Sequence, residues 1–508
     1  MTEERTRRRP RRAPVGVGQA GWRTLRNPYR PVEILSADEI EMIHRASLRI
    51  LDEIGFEVLG ERAIDVLAKA GARVDRSNRR VRLDPALVEQ LVATAPSEFT
   101  LHARNPERNV VIGGSHVVFT AVGGPAFVTD LDRGRRAGTF ADFVDFVKVI
   151  GSLDVLHQEA GGPLEPTDLP VATRHLDMYR ALATNLDKTW HCLGAGATVV
   201  DDAIEMICLV RGVDRERLVR EPSLITIVNT NSPLRLDGPM SEGLIEMATW
   251  GQPVVATPFT LAGAMTPATL AGALAQQNAE ALFCVALAQL VRPGTPMVYG
   301  AFTSNVDMRT GSPAFGTPEY VKAAFASGQL ARRYGLPWRS SNATASNVVD
   351  AQAAYESEMA VWGAIMGGVN LLYQGAGWLE GGLTASFEKL IVDAEILQMM
   401  AEVLSPFRVD EAEIGVDAIA AVGPGGHFFG SPHTLERYET AFYRPLLSDW
   451  RNFETWHDDG ALTATQRANA IWKRLLAEFV PPSLDPAAVE ALDGYVARRK
   501  AAIAAARE

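Results

Sequence analysis

From residue 150 onward, short apolar runs ending in small or polar residues alternate with longer helical stretches, and few folds accommodate that rhythm. The runs fall at 155–159, 189–193, 224–229, 253–257, 296–300, 337–340 and 369–374. Helical patterning occupies 171–186, 201–211, 241–250, 268–291, 318–334, 351–363 and 383–404. Strand–helix units repeating every ~30 to 45 residues imply parallel strands joined by right-handed crossovers. Seven units are visible, and 417–422 offers an eighth strand. Eight units close a barrel. Seven also suit an open doubly wound sheet, but no Gly-x-Gly-x-x-Gly fingerprint stands at the first strand–helix turn. The pattern therefore predicts an α/β chain with a (β/α)8 barrel.

The flanks read differently. Ser36 with Glu39 forms a capping box, and Ile40, Ile43, Leu48, Leu51 and Ile54 make a helical stripe that Gly55 ends. A second helix is expected over 61–69, and 81–128 is strand-like with turns at Asn105-Pro106 and Gly113-Gly114. The expected division is a disordered basic tail at 1–30, an N-terminal α+β extension at 31–150, the barrel at 151–425, and a C-terminal cap with helices at 426–508. The tail reading rests on Arg5, Arg7, Arg8, Arg9, Arg11 and Arg12, which no apolar stretch follows.

A net charge of −11 over 508 residues argues against a general nucleic-acid binder, which needs a basic face. No apolar run reaches the ~18 residues of a spanning helix. Cys192, Cys208 and Cys284 are too few and too far apart for a disulfide framework or a Cys-x-x-Cys metal site. With no signal peptide in view, a reducing cytoplasm is the expected location.

Chemistry in such a barrel belongs at the C-terminal ends of the strands. Those ends carry Glu159, Trp190, His191, Asn229, Asn231, Thr257, Tyr299, Phe302, Asn305, Ser340, Asn342, Gln374 and Trp378. No His-x-His pair follows a strand, and no His/Asp/Glu set has the spacing of a catalytic metal site. Lys188 precedes its strand, so a Schiff-base lysine is not expected. What remains is rich in rings and amides. Ring faces attract a quaternary ammonium, each by roughly 0.5–2 kcal/mol, and Glu159 adds a negative charge. The plain alternative for any one of these rings is packing against a neighbouring helix.

Several longer stretches are more specific. They are 296–302 (Pro-Met-Val-Tyr-Gly-Ala-Phe), 305–311 (Asn-Val-Asp-Met-Arg-Thr-Gly), 316–319 (Gly-Thr-Pro-Glu) and 350–356 (Asp-Ala-Gln-Ala-Ala-Tyr-Glu). Gly426-His427-Phe428-Phe429 and His433-Thr434-Leu435 follow, with Trp450 and Trp456 beyond. Together they resemble the trimethylamine:corrinoid methyltransferase family, over about residues 30–480. The resemblance implies a barrel that presents a methylated amine to the Co(I) corrinoid of a separate partner protein, with no corrinoid bound tightly by this chain. It also implies a homo-oligomer. Members that use trimethylamine carry pyrrolysine just before the Asp-Ala-Gln motif; here Asn347 or a neighbour stands in its place. The likeness is thus to the non-pyrrolysine branch, which resembles glycine betaine:corrinoid methyltransferases.

On that resemblance, Trp190, Tyr299, Phe302 and Trp378 are the expected cage for a trimethylammonium group. His191, Asn342, Asn347 and Gln374 are expected to orient a carboxylate tail. Gln352 and Glu356 belong either beside the cavity or in the anchoring of the Asn347 loop. No residue is expected to act as an acid or base. Two rivals stay open: a metal-dependent hydrolase or lyase on the same barrel, and a barrel that binds betaines without catalysis.

Overall fold

The computed structural model describes residues 18–506, so the arginine-rich start at 5–12 lies outside the described residues. Within 18–30, expected to belong to a disordered tail, Leu25–Arg26 pairs antiparallel with Val117 and His116, and Leu25 is buried. Burial of that leucine against the central sheet ties the chain down from there.

The parallel part of the central sheet consists of β1 (His116–Ala121), β2 (Trp190–His191), β3 (Leu224–Thr230), β4 (Val254–Ala262), β5 (Met297–Gly300), β6 (Phe302–Val306), β7 (Trp338–Ser341) and β8 (Leu371–Ala376), to which Leu25–Arg26 and Pro313–Ala314 add antiparallel. Neighbours run β2-β3-β4-β5-β7-β8-β1, all parallel, with β6 extending the β5 line along β4. Its two edges meet at one residue: Gln158 bridges in parallel to Thr120 of β1 and to Thr189 just before β2. The result is a curled, TIM-barrel-like sheet with helices outside it.

Two sequence expectations change. Residues 417–422 are not a strand; they lie in the exposed helix Val416–Val422, whose alanines favour that state. The additional strand is instead β1, inside the segment assigned to the N-terminal extension, followed by the helix Phe140–Ser152. All six residues of β1 are buried, as expected for a parallel strand covered on both faces. The run at 155–159 contributes only the Gln158 bridge.

The helical layer follows the sequence closely. Ser36 and Glu39 form the expected capping box on Ala37–Arg49, and Glu61–Lys69 follows. Outside the sheet lie Arg174–Asn185, Ala197–Arg211, Gly238–Thr249, Leu270–Val291, Pro318–Arg333, Ala351–Met366 and Phe387–Val403. The C-terminal helices Ala464–Ala477 and Pro486–Ala505 pack on the outer faces of this layer. Among the described residues no helix is long and apolar enough to cross a membrane.

Register decides which side chains enter the hollow of the sheet. Successive residues of a strand point to opposite faces, and residues paired in register share a face. Val118, Ile225, Val255, Val298, Leu371 and Tyr373 form a small apolar cluster distinct from the main core. They mark the interior. Leu101, Val110 and Ile112, from the hairpin Glu98–Leu101 and Val110–Gly113, join it at the end where the strands begin. Phe119, Trp190, Leu224, Val254, Tyr299, Trp338 and Leu372 point the other way, into the main core.

One buried ion pair holds the last crossover. Lys389 and Asp393 are both fully buried and paired, Lys389 Nζ also donates to Ser357 Oγ (2.7 Å), and Gly377 N donates to Asp393 Oδ2 (2.8 Å). Lys389→Ala leaves a buried carboxylate unpaired and is expected to cost about 3–5 kcal/mol. Chemical denaturation of the purified variant checks this; a loss under about 1 kcal/mol contradicts it.

Candidate functional site

Five aromatic rings gather where the strands end. Phe302 pairs in register with Phe259 of β4, and their rings lie 5.2 Å apart. Trp378, just after β8, stacks on Phe302 at 5.5 Å. Phe315 lies 5.3 Å from Phe302 and 5.9 Å from Trp378, and Tyr320 stands 6.0 Å from Phe302. Tyr320 donates its hydroxyl proton to Ser341 O (2.8 Å), which fixes the ring at the end of β7. Trp378 is held by Gly377, whose φ is +106° and whose N–H binds Asp393, and by Gly382, where any Cβ would run into the indole. Its Nε1 is buried without a partner.

Of the four rings expected to form a cage, the structure therefore brings Phe302 and Trp378 together. Trp190 and Tyr299 face the helices instead. Trp190 lies 5.5 Å from Tyr179 of Arg174–Asn185. Tyr299 donates to Asn278 Oδ1 (2.9 Å) and accepts from Gln277 Nε2 (3.3 Å), both on Leu270–Val291. The cause is strand parity: the neighbours His191 and Val298 take the inward positions. Phe259, Phe315 and Tyr320 were missed; Phe315 and Tyr320 lie in the connection after β6 and the helix beyond it, away from any strand end.

The polar candidates divide similarly. Glu159 is fully buried, but its carboxylate accepts from Gly161 N (2.9 Å), Gly162 N and His191 N (3.4 Å). It ties its own loop to β2 and presents no free charge to a cation. Burial pushes its pKa up to about 7 against the lowering effect of those N–H donors. Asn347 is exposed, on a loop held by Glu356, which accepts from Thr344 Oγ1, Ala345 N (2.8 Å) and Ser346 N (3.1 Å). Gln352 donates to Glu356 (2.8 Å), so this pair anchors the loop. Asn342 Nδ2 donates to Gly375 O (2.8 Å), and Gln374, at φ +52°, donates through its backbone to Thr120 Oγ1 (3.0 Å). Asn342 Oδ1 and Gln374 Oε1 are buried without partners.

Register adds an inward polar set that sequence reasoning largely passed over. Gln158, Thr189, His191, Arg339 and Ser341 share the interior face with Ile225, Leu371 and Tyr373. Each keeps at least one buried atom without a hydrogen-bond partner. Among them, Arg339 is 2% exposed, with its guanidinium carbon 5.4 Å from the Phe302 ring centre and 4.9 Å from that of Tyr373. His191 Nδ1 lies 3.4 Å from the Tyr373 hydroxyl. Burial, then Arg339, pushes the His191 pKa down to about 3, so the ring is neutral at pH 7. Buried polar atoms are normally satisfied, and so many orphans in one place are the mark of a ligand or water site. A hollow of about 720 Å³ lined by Asn27, Glu98, Arg332 and Trp338 lies at the opposite end of the strands, away from these groups.

The sequence model for trimethylamine methyltransferase (MTTB) matches residues 2–504. The chain belongs to this family. A glycine betaine methyltransferase from Desulfitobacterium hafniense is 40% identical over 92% of this chain and 97% of that relative. A trimethylamine methyltransferase from the same species is 28% identical over 88% of this chain and 90% of the relative. Among solved structures, the monomethylamine methyltransferase of Methanosarcina barkeri aligns with a TM-score of 0.51 at 9% identity, covering 89% of this chain and 90% of its own. A hydroxylamine complex of such an enzyme gives 0.53 at 12% identity, covering 88% and 89%. These likenesses support the fold.

In this methyltransferase the raised pKa of Glu159 has a stability consequence. The folded protein holds the proton more tightly than the unfolded chain, so the contribution is complete below about pH 4.5 and lost as pH rises to about 7. Wild type is expected to lose about 3 kcal/mol more than Glu159→Gln across that window. Urea melts of both proteins at several pH values measure the difference; parallel pH profiles contradict it.

Proposed function

We propose that this chain moves a methyl group from a quaternary ammonium compound, glycine betaine or a related betaine, to the Co(I) corrinoid of a separate protein. The carrying observation is the gathering of Phe302, Trp378, Phe315 and Tyr320 at the strand ends, with the unpartnered guanidinium of Arg339 5.4 Å from the Phe302 ring. The 40% identity to a glycine betaine methyltransferase supports the substrate class. We read the curled sheet as a (β/α)8 barrel in which Gln158 stands for the second strand, so that the barrel begins at β1.

The chemistry asks little acid–base help of the protein. A quaternary nitrogen leaves as a neutral amine when its C–N bond breaks, keeping the electron pair, whereas a tertiary amine would have to leave as an amide-like anion. Among the described residues no group of three or more His, Cys, Asp or Glu is placed to hold a metal. The corrinoid, brought by its own protein, supplies the nucleophile. The rings hold the methylated end by their negative faces and keep water away, while the inward polar groups orient the other end.

Purified protein with chemically reduced free cobalamin and a panel of N-methylated amines tests the assignment. NMR is expected to show dimethylglycine formed from glycine betaine and no dimethylamine from trimethylamine; demethylation of trimethylamine alone sinks it. Trp378→Ala is expected to raise the glycine betaine Kd about 10-fold, the loss of one cation–π contact. Tyr299→Phe, facing the helices, should leave that Kd unchanged, and calorimetry separates the two outcomes.

A further inference from the structure

A buried cation without an anion is costly, and the other buried amines of this protein are provided for. Lys389 is paired with Asp393, and Lys188 donates to Ile150 O and Leu153 O at 2.9 and 2.8 Å. Arg339 is not. Nε and Nη1 of its guanidinium have no hydrogen-bond partner, and among the described residues no carboxylate lies within ion-pair distance. A permanent charge so placed must otherwise be compensated, because burial penalises an unpaired ion heavily.

The surroundings say what is missing. Register fixes Arg339 on the interior face beside Leu371, while Ser341, two residues on, pairs with Tyr373. Phe302 and Tyr373 flank the guanidinium, and Phe302 is also the ring on which Trp378 stacks. The groups nearest are thus rings, hydroxyls and the His191 imidazole. Tyr373 sends its hydroxyl proton to Ala160 O, and Glu159 commits its oxygens to backbone N–H groups. Among the described residues none supplies a counter-charge. A second positive charge entering alone would be repelled, but a ligand carrying both an ammonium and a carboxylate meets rings and a guanidinium that share Phe302.

We propose that Arg339 binds the carboxylate of a zwitterionic quaternary ammonium substrate and so excludes purely cationic ones such as choline or tetramethylammonium. This rests on the quaternary-amine reading and adds the residue that selects within that class. A guanidinium suits the task because its planar fork makes two parallel bonds to a carboxylate, which an ammonium cannot.

The test is titration calorimetry of full-length wild type, Arg339→Gln and Arg339→Lys with glycine betaine, choline and tetramethylammonium, after circular dichroism and thermal melts of each. Wild type is expected to bind glycine betaine at least about 100-fold more tightly than the two cations, and Arg339→Gln to lose most of that preference. Arg339→Lys keeps the charge without the fork, with affinity reduced roughly 10-fold. A folded Arg339→Gln protein that binds glycine betaine within about 3-fold of wild type overturns the assignment and leaves the quaternary-amine reading standing. So does wild type that binds choline as tightly as glycine betaine. Should the glutamine variant fail to fold, unchanged affinity in Arg339→Lys overturns it equally. Wild type that binds none of the three overturns both readings.

Discussion

Parallel strand pairing in register is the constraint on which the rest of this structure depends. Once β1 through β8 are aligned and their edges meet at Gln158, every side chain on them is assigned to the hollow or to the helices. A shift of one residue would exchange the two sets. The interior then receives His191, Arg339 and Ser341 in place of Trp190, Trp338 and Ser340. A fully buried parallel sheet has no polar face to announce which parity is which, since both faces are dry. That is why a continuous apolar run such as 296–300 reads clearly as a strand and poorly as a set of directions.

This explains what could be read from the chain and what could not. The alternation of runs and helices gave the fold class, and the cap at Ser36 set the first helix to the residue. Of the rings picked from the strand ends, Phe302 and Trp378 come together, one opening β6 and the other just past β8. Trp190 and Tyr299 were drawn in by the same logic and belong outside, because one residue earlier or later on a strand is the opposite face. Arg339 was visible as a letter in the sixth run, yet nothing local separates a buried unpaired arginine from one that reaches solvent. The place of β1 in the central sheet escaped because it precedes the regular rhythm, while 417–422 is a short apolar run like the others although its alanines favour a helix.

Buried carboxylates give the site its second layer of order. Glu159, Glu356 and Asp393 each accept from backbone N–H groups of a loop at the strand ends: the loop after Gln158, the loop bearing Asn347, and the Gly377 turn before Trp378. Glu280 does the same for the loop after β3, accepting from Leu234 N at 3.0 Å. Loops at that end would otherwise be the most mobile part of such a fold. Fixed in this way, the Gly377 turn holds Trp378 stacked 5.5 Å from Phe302 before any ligand arrives, which lowers the ordering cost of binding.

The same carboxylates that stiffen the loops are thereby withdrawn from the hollow, and this sets its electrostatics. Glu159, the anionic candidate among the strand ends, is turned onto backbone donors, and His191 beside it is held neutral. What the described strands and their ends turn inward is a set of rings, amides and hydroxyls with the positive charge of Arg339 among them. A cavity without negative charge is a poor host for a simple cation, however many rings it has, because each ring contributes only about 0.5–2 kcal/mol. It becomes a good one when the guest brings its own anion. On the proposed reading, the charge that the described residues leave out beside Phe302 is the charge the substrate carries, and a leaving nitrogen that departs as a neutral amine asks for neither acid nor base.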